Sequence, residues 1–255
     1  MVFIIGGLLI LVFISFWLVR RQDGKLRVLM YHKVDENRQD MLTVTTEQLD
    51  QHLCYLRQRG YDFISIQNVF NLSSPPSNGI LLTFDDAYVN NLELAYPILK
   101  KYNAHATIFV PTAYVGGSSQ WDIVAEPLLP VEALRNLDPE VFALGLHSHT
   151  HRNYADLSEA ALEEDLRQNI QFFHEHQLPF VPAFAYPYGG RPKDKVRKQA
   201  MQKMMARMGI SMAFRIGNRL NSWPLPKPYE IQRIDIRGTD SLQNFARKVK
   251  WGKQF

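Results

Sequence analysis

A chain of 255 residues has room for one large domain or two small ones, and 46% hydrophobic against 21% charged residues excludes disorder, collagen and a coiled coil. A mean hydropathy of −0.22 argues against a polytopic membrane protein. The single cysteine, Cys54, rules out an internal disulfide framework and a cysteine-built zinc site, so any metal must rest on His and carboxylates.

The chain opens with Val2 to Val19, 18 residues without a charge, which at about 1.5 Å per residue would span roughly 27 Å, near the thickness of a bilayer core. Nothing basic precedes the run and no small-residue cleavage site ends it, so an uncleaved transmembrane anchor over 2–19 is expected, with Trp17 at the interface. Residues 20–26 form a juxtamembrane linker and 27–255 a single soluble domain. Arg20, Arg21, Lys25 and Arg27 all follow the span, so the charge rule puts that domain in the cytoplasm.

Beyond the anchor, short apolar runs alternate with helical patterns. Strands are expected at 27–31, 63–66, 79–84, 106–110, 143–147, 183–186, 212–214 and 231–236. Helices are expected near 46–59, 91–102, 131–136, 158–176, 194–208 and 241–250, the first capped by Thr45 or Thr46. This alternation predicts an α/β fold: a mostly parallel sheet with helices outside, closed into a barrel of seven or eight strands. Residues 191–255 carry 16 Lys/Arg against 4 Asp/Glu, whereas residues 1–190 carry 13 against 21. That basic tail reads as solvated helix faces, with attraction to anionic lipid headgroups, a lipid-phosphate carrier or nucleic acid as the alternative; it holds no nucleic-acid motif, so no nucleic-acid partner is expected.

Three segments carry chemistry. The strand Ile80 to Phe84 runs into Asp85-Asp86, at the end where parallel barrels keep their sites. Side chains alternate along a strand, so the two carboxylates are expected to point differently and take different jobs, one binding a metal and one moving a proton. Leu144-Gly145-Leu146 runs into His147-Ser148-His149-Thr150-His151. A spacing of four lets His147 and His151 face one point if the segment turns helically, with His149 elsewhere. Two imidazoles and one carboxylate leave metal positions open for water and substrate. The third segment is Phe184-Ala185-Tyr186-Pro187-Tyr188-Gly189-Gly190, whose aromatics suit stacking on sugar rings and whose glycines let backbone N–H groups approach an oxyanion. A capping Asp pair, surface histidines and a plain strand-to-loop turn are the alternatives for the three segments taken singly.

Together and in this order these segments resemble the polysaccharide deacetylase superfamily, the NodB-homology carbohydrate esterases. Thr83-Phe84-Asp85-Asp86 is similar to the family's T-F-D-D motif, and His147 to His151 is similar to its H-S/T-x-x-H motif. The resemblance implies a distorted, mostly parallel (β/α) barrel of about seven strands. It implies Asp85 as general base, and Asp86, His147 and His151 as ligands of a divalent metal, commonly zinc. It implies an N-acetylated glycan or lipid-linked saccharide as substrate, with release of acetate. The third motif departs from the family's R-P-P-Y-G, because Ala185 stands where the Arg that pairs with the base would be. Arg233 is the candidate for that cation. The family's late acidic His is also missing, since the last histidine is His176. Tyr31-His32 resembles instead the Y-H motif of the bacterial exopolysaccharide (poly-N-acetylglucosamine) deacetylase branch, which implies His32 as general acid. By the same resemblance the backbone N–H of Tyr188 serves the oxyanion, and Tyr31, Tyr186, Pro187 and Arg233 border the substrate. The anchor would then lie in the bacterial inner membrane. A catalytically inactive carbohydrate-binding member is the alternative, against which the intact ligand set argues.

Overall fold

The computed structural model describes residues 24–71 and 78–253. The expected anchor at 2–19 lies outside them; among the described residues no helix is long and apolar enough to cross a membrane.

In chain order the elements are β1 (Lys25–Tyr31), the short strands β2 (Lys33–Asp35) and β3 (Thr43–Thr45), α1 (Thr46–Gln58), β4 (Asp62–Phe63), α2 (Ile66–Asn71) and β5 (Gly79–Asp85). A π-helical turn (Asn91–Ala95) leads into α3 (Tyr96–Lys101), followed by β6 (Ala106–Val110), α4 (Val131–Arg135), β7 (Phe142–Leu146) and α5 (Glu159–Glu175). The chain ends through β8 (Ala183–Ala185), α6 (Lys195–Arg207), β9 (Met212–Ile216), β10 (Asn221–Ser222), β11 (Ile231–Asp235) and α7 (Leu242–Trp251).

β1 pairs in parallel with β5 on one side and β11 on the other, and the ring runs on through β6, β7, β8 and β9. The expected parallel barrel is thus a closed ring of seven strands. Closure buries both faces, which is why β5 is buried at every position and reads as a continuous apolar run. The two-residue strand β4 adds to β5 in parallel, and β10 pairs antiparallel with β1. Gly145 of β7 shows how tightly the ring is filled: a Cβ there would fall 2.6 Å from the Phe109 ring.

The helices pack outside the ring through apolar stripes, as α5 does with Leu162, Leu166 and Phe173. The Thr45 hydroxyl accepts from the Gln48 N–H while the Gln48 side chain accepts from the Thr45 N–H, a reciprocal cap for α1. Three differences from expectation have local causes. The run 63–66 pairs only at Asp62–Phe63 and turns into α2 at Ile66. The helix expected over 91–102 begins as the π turn, and α-helical register starts at Tyr96 just before Pro97, which has no N–H. The parallel pair β2 and β3 is too short to show any alternation in the sequence.

Candidate active site

Every side chain of the site hangs from the C-terminal end of the ring. Asp85 closes β5 and Asp86 follows it; His147 is the first residue past β7; Arg233 lies in β11; His32 follows β1; Tyr188 follows β8. Asp86 has a left-handed backbone, φ 76°. That reversal keeps its carboxylate in the cavity beside Asp85, where strand alternation alone would have parted the two.

His147 and His151 do converge, but not through a helical turn. Residues 147–151 are irregular, with left-handed Ser148 (φ 68°) and His151 (φ 51°), and the Ser148 hydroxyl accepts the His151 N–H at 2.8 Å. Asp165 of α5 clamps this loop, its carboxylate accepting the N–H groups of His149 and Thr150 and the hydroxyls of Thr150 and Tyr154 at 2.5–2.9 Å. His149 turns away, its Nδ1 lying 3.0 Å from the Thr112 hydroxyl.

Asp86 Oδ1 lies 3.3 Å from His147 Nε2 and 3.1 Å from His151 Nε2, and one ligand atom from each residue falls within 4.8 Å of the others. His147 Nδ1–H donates to the Ala185 carbonyl at 2.8 Å. In the neutral ring Nε2 therefore presents a lone pair, and it faces the lone pairs of Asp86. Asp86 Oδ1 is itself buried without a hydrogen-bond partner. Protons on the imidazoles would relieve that repulsion; one divalent cation among three buried donors would do so better. The residues therefore fit a metal of the two-His, one-carboxylate kind.

The charges are finely opposed. Burial acts to raise the Asp85 carboxyl, but Arg233 and then His147 and His32 outweigh it and hold it below its usual value. Burial likewise acts to raise Asp86, and His151 and His147 hold it well below. For His147, burial acts downward, while the charges of Asp85 and Asp86 push it up overall.

Arg233 is fully buried and forks onto Asp85, Nη1 to Oδ1 at 2.5 Å and Nη2 to Oδ2 at 2.7 Å. It therefore supplies the cation missing at Ala185. The expectation that it borders substrate is corrected, because its charged fork is spent on Asp85. His32 Nε2 stands 3.9 Å from Asp85 Oδ2. Tyr188 is 57% exposed with φ 57°, its ring 4.9 Å from that of His151.

Three other expected substrate contacts belong to the core instead. Tyr31 is buried and stacked on Phe84. The buried Tyr186 aims its hydroxyl at the Tyr229 carbonyl, and Pro187 is buried beneath the turn it starts. Neither tyrosine nor Pro187 lines the cleft of about 180 Å³ above the ligands; Tyr188 does, with Met30, Met41, Trp121, Ile216 and Asp235. Sequence reading missed Trp121, whose ring lies tilted against that of His151 with 3.8 Å between centres. It sits in an irregular loop, so no periodicity points to it.

Residues 73–209 match the profile of the polysaccharide deacetylase family. The chain belongs to that family. Its named relatives are hydrolases of carbon–nitrogen bonds other than peptide bonds, and the polysaccharide deacetylases are metal-dependent. The poly-β-1,6-N-acetyl-D-glucosamine N-deacetylase of Staphylococcus epidermidis is 24% identical over 222 residues, covering 81% of this chain and 72% of that protein. Among solved structures, the Streptococcus pyogenes deacetylase PplD, in complex with acetate, superposes with a TM-score of 0.72 at 22% identity, over 89% of this deacetylase-family chain and 99% of that one. IcaB from Ammonifex degensii gives 0.71 at 21% identity, over 91% and 98%. At those identities the structural likeness speaks for the fold.

Proposed function

We propose that this chain is a metal-dependent N-deacetylase that releases acetate from the N-acetylated amino sugars of a glycan, poly-β-1,6-N-acetylglucosamine being the class named for its staphylococcal relatives. The observation that carries this reading is the convergence of Asp86, His147 and His151 beside the Asp85–Arg233 pair. Two departures from the family motifs favour an inactive, merely binding protein; against that reading, Arg233 pairs with Asp85 as the missing Arg would, and His32 Nε2 stands 3.9 Å from the same carboxylate.

Asp86, His147 and His151 would hold the ion, and zinc suits their nitrogen and oxygen donors; when bound it supplies Lewis acidity at the acetamide carbonyl and acidifies water beside it. Asp85 accepts the proton of the attacking water. Its carboxylate is a weak base, because Arg233 holds it below its usual value, so it takes a proton well only from water already acidified. His32, whose Nε2 stands 3.9 Å from Asp85 Oδ2 at the mouth of the ring, carries the proton for the departing amine. The Tyr188 backbone N–H serves the developing oxyanion in this reading, which the position of Tyr188 and Gly189 in the cleft lining with Asp86 and His151 supports.

The test is acetate release from poly-N-acetylglucosamine oligomers and from lipid-linked acetylated sugars, with zinc or cobalt supplied. Asp85→Asn is expected to lower kcat by about 10²- to 10⁴-fold. Equal rates for the variant and the parent would remove Asp85 from the mechanism. Anchoring through residues 2–19 is part of the proposal and rests on that uncharged run, and the cytoplasmic side rests on the basic residues that follow it. A reporter fused after Phe255 reads the side directly. A cytoplasmic domain favours a lipid-linked precursor as substrate, and an exported one a finished polymer.

A further inference from the structure

Tyr88 lies two residues past Asp86 and is fully buried. Its hydroxyl stands 2.7 Å from Asp122 Oδ2 and 3.2 Å from Asp86 Oδ2. A phenol has one proton to give, so the two carboxylates compete for it, and the shorter contact goes to Asp122. Asp122 is itself pinned: its Oδ2 also accepts from the Ser119 hydroxyl at 2.8 Å and from Lys33 Nζ at 3.4 Å. Lys33 reaches Glu126 at 3.2 Å and rides over the Tyr88 ring, and Arg38 pairs with the same Glu126. Backbone bridges join Tyr88 to Leu128 and Ser118 to Pro127. Within this pinned segment, Trp121 covers His151. Segment 117–128 therefore touches two of the three ligand residues, Asp86 through Tyr88 and His151 through Trp121.

The two oxygens of Asp86 divide the work. Oδ1 faces both imidazoles, whereas Oδ2 faces the Tyr88 hydroxyl. A carboxylate fixed at one oxygen offers the other in a set direction. Tyr88 shares its one proton between the two carboxylates, so it restrains Asp86 Oδ2 through a long hydrogen bond that leaves Asp86 the negative charge a cation needs.

We propose that Tyr88, held by Asp122, is a positioning residue that fixes the ligating orientation of Asp86, so that segment 117–128 and the metal centre are ordered together. The proposal rests on the reading of Asp86, His147 and His151 as metal ligands.

The experiment is titration of the metal-free full-length protein with zinc alone, by calorimetry and by competition with a chelating dye. Tyr88→Phe keeps the ring and removes the hydroxyl. It is expected to weaken zinc binding by about 10- to 100-fold, the usual effect of losing a hydrogen-bond partner of a ligand. Melting of the metal-free variant is expected to stay close to that of the parent, which a merely structural role would not allow. Asp122→Ala leaves Tyr88 in place but takes away its nearer acceptor, and is expected to weaken zinc by more than about threefold. It decides the question should Tyr88→Phe fail to fold. Zinc affinities within about threefold of the parent in the folded variants overturn the positioning role. A parent protein that binds no zinc instead overturns the metal reading, so the two failures are distinct.

Discussion

At the scale of single residues, the buried Asp85–Arg233 pair bears on stability and, in the proposed mechanism, on proton transfer. Removing one partner from a buried pair leaves the other charge uncompensated, which costs about 3–5 kcal/mol. Arg233→Met is therefore expected to lower unfolding free energy by that order in urea titrations. With burial then unopposed by its main cation, the Asp85 carboxyl moves upward. The base must be ionised to act, so the acid limb of the kcat/KM profile should move to higher pH. An acid limb in the same place for both proteins would show that Arg233 does not set the charge state of Asp85.

At the scale of elements, α7 is joined to α1 by His52, buried and stacked on Phe245 at 3.8 Å between ring centres. Burial, aided by the Lys248 charge, pushes its pKa down to about 3. The unfolded chain takes up this proton below about pH 6.5, whereas the folded one resists until near pH 3, so stability falls with acid across that window. His52→Gln should lack that part of the slope, amounting to about 2 kcal/mol between pH 7 and pH 5 in urea unfolding. Identical slopes would show that His52 is not held neutral. The elements themselves were largely legible, because buried parallel strands leave unbroken apolar runs such as Ile80 to Phe84, and capped helices announce their starts. The turns that assemble the site were not. Left-handed conformations at Asp86, Ser148 and His151 belong to residue types that give no such warning, unlike glycine. Spacing thus gathered the right histidines for a wrong reason. Tyr31 and Tyr186 misled in the opposite direction, since an aromatic beside a motif reads the same whether it faces the cleft or the core. Arg233 was found only by asking what could replace a missing cation, and Asp122 carried no signal short of the folded loop.

At the scale of the whole molecule, the proposed metal site would link ion binding to the fold. The ligands come from β5 and from the loop after β7, so an ion that binds only the closed ring stabilises it by mass action. Zinc at a hundredfold excess over its Kd would add about 2.7 kcal/mol, a rise of several degrees in Tm that a chelator should reverse. A melting curve indifferent to both additions would separate the site from the stability of the barrel. The ring also has polarity. All seven strands point the same way, so Gly24, just ahead of β1, sits at the pole opposite the catalytic mouth. Seven residues of strand make that separation at least about 20 Å. Chain entering the ring at Gly24 therefore meets it at the foot, while the cleft opens at the head, so changes made at the entry are held apart from the cluster of Asp86, His147 and His151 by the full length of a strand.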